Sequence, residues 1–220
     1  MAIKLLVSGF EASGKSTLTS AIKDALVINF DRKEYGFSIP HANFKQYEGM
    51  GSVINFINEK INNYKEKFKK LPKFLVIDTV TQLYTAMTRY NGSKFTGFNI
   101  HSQNNADTLD FNAYIEDILI PNEINVVIVA HTKFDEASGR HTIPAQGAFK
   151  DSGSWLSVVN DSIFIEKASG KLTVHLKSLK YPARTTLKDI PEKATIEDFD
   201  INEHINKLVD SHIESDKFIL

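Results

Sequence analysis

Eight residues near the start of the chain constrain its fold more than any other feature: Gly9-Phe10-Glu11-Ala12-Ser13-Gly14-Lys15-Ser16. The pattern G-x-x-x-x-G-K-S/T wraps successive backbone N–H groups around a phosphate, and it works only between a strand and a helix. Both flanks comply. Ile3–Val7 is a short, apolar, strand-like run, and a helix is expected over 16–25, with Leu18, Ile22 and Leu26 at spacing four. Gly9 and Gly14 let the backbone curl, and the helix starting near Lys15 adds the positive end of its dipole. Lys15 is expected to be an exposed point charge for the β- and γ-phosphates. The Ser16 hydroxyl suits Mg²⁺, and Thr17 can reach the α-phosphate. Phe10, Glu11, Ala12 and Ser13 supply the backbone between the glycines. ATP with Mg²⁺ is therefore the expected ligand.

The remaining pattern fixes the fold class. Strands are expected over 26–30, 74–77 and 124–130, the last two apolar on both faces as buried parallel strands are. Between them lie helical periods over 53–68, near 80–89 and over 108–119. A final strand pair, 161–166 and 172–176, flanks Ala168-Ser169-Gly170-Lys171. Strand–helix alternation predicts an α/β fold with a mostly parallel central sheet, flanking helices and a C-terminal helix. Segments 90–107 and 134–150 lack a regular pattern, and loops of that length are usually functional or disordered.

Composition excludes several chemistries. The 220 residues include no cysteine, which removes thiolate zinc sites, iron–sulfur clusters, disulfides and cysteine nucleophiles. No apolar run approaches the ~18 residues of a membrane span, and the N-terminal strand reads as that of a cytoplasmic protein. The net charge of −1 is unevenly spread: residues 189–220 hold nine acidic residues and three lysines, leaving +5 on residues 1–188. A basic body suggests a partner such as nucleic acid; a merely solvated acidic helix is the plainer reading of the tail. Two units are expected, a nucleotide-binding domain over 1–188 and an acidic helical tail over 189–220. In the tail, Asp200 and Glu203 resemble a capping box, and Ile201, Ile205 and Leu208 follow at helical spacing.

Phe74-Leu75-Val76-Ile77-Asp78 is a buried strand ending in a carboxylate, the Walker B form, which suits Mg²⁺ held through its waters. Glu11 at the third loop position, an acid after the second strand, Walker B, and a strand ending in a polar residue follow one another in the order seen in RecA-like ATPases. Over roughly residues 3–187 the chain resembles phage nucleotide-binding P-loop proteins related to RecA-like single-strand annealing proteins. The resemblance implies a water-orienting base at Asp31, with Glu34 as the alternative, and a γ-phosphate sensor at His131. It implies DNA-contacting loops over about 90–107 and 133–150, holding Lys94, Phe95, Phe98, Lys133, Phe149 and Lys150. Cations with aromatics are what a stacking, charge-tracking site for single strands needs. It also implies that Lys177 or Lys180 reaches a neighbour's nucleotide. The implied partners are single-stranded DNA, further copies in a ring or filament, and a single-strand-binding protein. The implied setting is a phage protein in the host cytoplasm, acting in recombination or replication.

Two other enzymes share this loop. Thr132-Lys133-Phe134-Asp135 matches the guanine-reading pattern [NT]-K-x-D of GTPases, yet Asp78-Thr79-Val80-Thr81 lacks the glycine that a GTPase places there. A small-molecule kinase needs an arginine-rich lid, and Arg32, Arg89, Arg140 and Arg184 are widely spaced. A nucleotide-gated binding module without turnover differs from the ATPase reading only in hydrolysis.

Overall fold

Strands that are apolar on both sides need a helical layer on each. The computed structural model, which describes residues 2–31, 33–147 and 155–217 apart from the Asp216 side chain, supplies both layers. In chain order the main elements are β1 (Lys4–Gly9), α1 (Lys15–Ser20), β2 (Ala25–Asn29), β3 (His41–Asn43), α2 (Met50–Phe68), β4 (Phe74–Asp78), α3 (Val80–Lys94) and α4 (Phe98–Tyr114). There follow β5 (Asn125–His131), β6 (Lys133–Asp135), β7 (Arg140–Thr142), β8 (Asp161–Ala168), β9 (Lys171–His175), β10 (Lys193–Thr195) and α5 (Ile201–Asp216). A π-helical stretch, Ile115–Leu119, extends α4.

Eight strands form one sheet in the order β10-β9-β8-β1-β5-β4-β2-β3, and β6 and β7 form a separate hairpin. Every pairing from β8 to β3 is parallel; only β9 and β10 run antiparallel to their neighbours. Period-two alternation divides the side chains between two cores. Leu6, Ile28, Ile77 and Ile128 face a core built with α2, α3 and α4. Leu5, Val7, Val27, Val76 and Val127 face a second core with Leu18 of α1 and Ile201, Ile205 and Leu208 of α5. No helix among the described residues is long and apolar enough to cross a membrane.

Three expectations need correction. The first helix is Lys15–Ser20, shorter than 16–25, because Ala21 and Ile22 close it with N–H bonds to Leu18 and Thr19 carbonyls and the chain turns into β2. Segment 90–107 is not a loop: α3 runs to Lys94, α4 starts at Phe98, and residues 95–97 alone join them. The apolar period is missing because the α3–α4 contact is polar. Asn91 donates to Asn104 Oδ1 and Asp107 Oδ2 at 2.9 and 2.7 Å, and Tyr47 and Gln103 also donate to the Asp107 carboxylate. Within 134–150, the stretch through Thr142 belongs to the β6–β7 hairpin rather than an irregular loop. Residues beyond 188 add β10 at the sheet edge and α5, which packs into the second core. The Asp200 carboxylate caps α5, accepting from the Asn202 and Glu203 N–H groups.

Candidate nucleotide site

The loop between β1 and α1 sits at the carboxyl end of the parallel strands. Gly9 is required by close approach: a Cβ there would lie 2.5 Å from Ser13 Oγ and 2.7 Å from the Ile165 carbonyl oxygen. Gly14 is required by conformation, since its φ of 86° lies in the left-handed region. Ala12 also has positive φ, and the Ser13 N–H closes a turn onto the Phe10 carbonyl at 3.3 Å. Phe10, Glu11, Ala12 and Thr17 face solvent. The Phe10 ring stands edge-on to His141 at 4.9 Å.

Lys15 departs from expectation. It is 5% exposed, because Nζ folds back to donate to the Gly9 and Phe10 carbonyls at 3.0 and 2.5 Å. Burial lowers its pKa to about 8, against the opposing pull of Asp78, Glu11 and Asp31. Those three carboxylates mark which acids stand near the ammonium.

Asp78 ends β4 and is almost fully buried, and Ser16 Oγ donates to its Oδ2 over 2.7 Å. Burial raises the Asp78 pKa; Asp31 raises it further, while Ser16 and Lys15 oppose the rise. The following Thr79 caps α3, its hydroxyl accepting from the Gln82 N–H, so helix and carboxylate diverge at one residue. A hydroxyl and a buried carboxylate already in contact form the hard-oxygen pair that Mg²⁺ takes through its retained waters. Ser16 and Asp78 thus fit the metal. Among the described residues no cluster of three or more His, Cys, Asp or Glu forms a metal cage.

The strand order sets His131 between the loop and Asp78. β5 lies between β1 and β4, with Gly9 opposite His131 and Asp78 opposite Val129. The Thr132 N–H donates to the Gly9 carbonyl at 3.2 Å, and the His131 N–H donates to Thr81 Oγ1 at 3.0 Å. The buried His131 Nδ1 has no hydrogen-bond partner among the described residues. Burial first, then Lys15, lower the His131 pKa, which keeps the ring neutral.

Asp31 lies two residues beyond β2, half-buried, with its N–H held by Asn29 Oδ1 at 3.0 Å. It acts electrostatically on Lys15, Asp78 and His131; Glu34 is exposed and acts on none of the three. Asp31 is therefore the better placed of the two acids to act near the loop. Sequence reading missed Tyr35 and Thr81, whose contacts come from loop and helix placement rather than from a motif.

The other singled-out residues lie elsewhere. Lys94, Phe95 and Phe98 form the α3–α4 corner, on the order of 20 Å along α3 from Asp78. Phe98 is 81% exposed, and Lys94 Nζ lies 5.7 Å from the Tyr90 ring centroid. Lys133 is exposed on β6, while Phe149 and Lys150 fall outside the described residues. Lys177 and Lys180 line an edge cavity of about 630 Å³ with Arg184 and Lys193. Neither lysine figures among the charges acting on Lys15, Asp78 or His131 of its own chain.

Comparison with known proteins agrees with this geometry. No curated protein matches the chain. The family model described as AAA domain, AAA_24, matches residues 1–147, two-thirds of the chain, which include the phosphate loop, Asp31, Asp78 and His131. A strand-borne phosphate loop, a Walker B carboxylate on its serine and this match together place the chain in the AAA-domain family of P-loop nucleoside triphosphatases.

Proposed function

We propose that the protein binds and hydrolyses Mg·ATP as a RecA-like ATPase. It acts on single-stranded DNA, assembled as a ring or filament, in phage recombination or replication. The observation that supports this reading most is the convergence of Lys15, Asp78, Asp31 and His131 around one loop. Lys15 offers its ammonium to the phosphates once it leaves the Gly9 and Phe10 carbonyls. Ser16 and Asp78 would hold the metal, which would supply positive charge against that developing on the phosphate oxygens. Asp31 accepts a hydrogen bond from the attacking water and orients it. Neutral His131 donates to a phosphate oxygen, and Lys177 or Lys180 of a second copy supplies the trans cation.

The GTPase alternative loses support at Asp135. Its carboxylate is taken by its own hairpin turn, accepting from Ala137 N–H and Ser138 Oγ. A kinase lid loses one of its four arginines, because Arg184 Nη2 donates to the Leu156 and Val159 carbonyls. Support for DNA comes from exposed Phe98 and Lys133 on a body that is net basic over 1–188. Phosphate release with ATP or GTP, with and without oligo-dT, tests the reading. ATP-selective turnover stimulated by oligo-dT is expected; GTP preference or phosphoryl transfer to a small molecule overturns it.

A further inference from the structure

We propose that the Tyr35 hydroxyl positions the Asp78 carboxylate toward the nucleotide's metal and ties the segment carrying Asp31 to it. The inference rests on the nucleotide-binding reading above.

Tyr35 lies between β2 and β3, four residues beyond Asp31. Its ring packs against the core shared by α1 and α5, with Phe37 and His41 ring centroids at 5.3 and 5.2 Å. That packing points the hydroxyl inward, beside Thr19 and Asp78. There it is buried without a hydrogen bond of good geometry among the described residues. Thr19 already donates its own proton to the Lys15 carbonyl at 3.1 Å. Among the described residues, Asp78 accepts one hydrogen bond, from Ser16 at Oδ2.

A buried phenol with no partner and a buried carboxylate with one donor are each under-satisfied, and each costs free energy in that state. They are neighbours of complementary type, since a phenol donates and a carboxylate accepts. An O–H···O⁻ bond between them satisfies both. Ser16 then fixes one side of Asp78 and Tyr35 another. Groups that orient a metal's ligands from behind set affinity nearly as strongly as the ligands themselves. Because Tyr35 and Asp31 share one segment, the same bond sets where the water-orienting carboxylate stands relative to Asp78. Tyr35 is thus a positioning residue acting through Asp78.

Tyr35→Phe removes the oxygen and keeps the ring. Calorimetric titration with ADP, in excess Mg²⁺ and in EDTA, reads the gain in affinity due to the metal. In the wild type Mg²⁺ tightens ADP binding. In Tyr35→Phe that gain falls about tenfold, while affinity in EDTA and the melting temperature stay at wild-type values. Tyr35→Leu, which also removes the ring, lowers the melting temperature and loses the same metal-dependent gain. A full gain in Tyr35→Phe, or equal losses in Mg²⁺ and EDTA, overturns the proposal. A wild type whose ADP affinity ignores Mg²⁺ overturns the nucleotide reading itself, a result distinct from either.

Discussion

The hydroxyl of Ser16, in the first turn of α1, donates to Asp78 Oδ2 at the tip of β4 over 2.7 Å, 62 residues away in sequence. That bond joins the phosphate loop to the Walker B strand and places together the two oxygens proposed to hold the metal. Ser16→Ala should therefore weaken nucleotide binding in Mg²⁺ and leave binding in EDTA little changed.

Lys15 makes ATP affinity depend on pH. Burial lowers its pKa from 10.5 to about 8, so the unliganded ammonium is charged at pH 7 and largely neutral at pH 9. A bound phosphate favours the charged form, so affinity falls as pH rises through the free-protein pKa, by up to about tenfold per unit. Titrating a fluorescent ATP analogue between pH 7 and 9 should show this slope. Lys15→Met should bind weakly at every pH and show no slope, while folding normally because it removes a buried amine.

Asp31→Asn should reduce phosphate release far more than ATP affinity, since a water-orienting group acts mainly in the transition state. A loss of about 100-fold in turnover lies within the usual range for such a group. Glu34→Gln should turn over normally, because Glu34 is exposed and is not among the charges that act on Lys15. Steady-state assays of both variants decide between the two acids.

Much of this site could be read from the sequence. The loop and Asp78 were legible because their chemistry is local, a strand tip followed by a fixed residue type. Asp31 and Glu34 could not be separated, because no motif tells which acid beyond β2 stands nearer the loop. The α3–α4 junction misled for another reason. Asn91, Asn104 and Asp107 are all buried there, satisfied by one another and by Tyr47, so a polar stretch folds as helix. Hydropathy patterning has no signal for a polar interior. β3 escaped notice because three residues paired parallel on an edge leave little periodicity.

His204 of α5 gives the fold an acid limit. It is 6% exposed, and burial lowers its pKa from 6.5 to about 4, with Asp161 opposing the shift. The unfolded chain thus binds a proton that the folded chain refuses. Stability is whole above pH 6.5 and falls as pH drops from there toward 4, by at most about 3 kcal/mol from this group. Urea midpoints measured at pH 7 and 5 should differ less in His204→Leu than in the wild type.

If Lys177 or Lys180 serves a neighbouring copy, turnover depends on assembly. Specific activity should climb with protein concentration and level off once scattering reports full association. Lys177→Ala and Lys180→Ala should lower the plateau without changing ATP affinity. Constant activity per chain down to monomer concentrations would remove the trans role.

Single-stranded DNA binding should centre on the α3–α4 corner and the β6–β7 hairpin. Phe98 is 81% exposed and Lys94 and Lys133 are exposed, so none of them is needed for the core. Stacking is worth about 1–3 kcal/mol per base, so Phe98→Ala should weaken oligo-dT binding by roughly 5- to 150-fold. Phosphate contacts should make affinity fall steeply with salt, and Lys94→Ala or Lys133→Ala should flatten that slope by about 0.7 unit. Phe95, at 36% exposure, is the internal control: if it packs rather than stacks, Phe95→Ala lowers the melting temperature and spares DNA affinity. Anisotropy of labelled oligo-dT with an ATP analogue, across salt, separates these outcomes. Absence of wild-type binding at low salt with nucleotide present would remove DNA from the proposed function and leave the ATPase reading to stand on the nucleotide site.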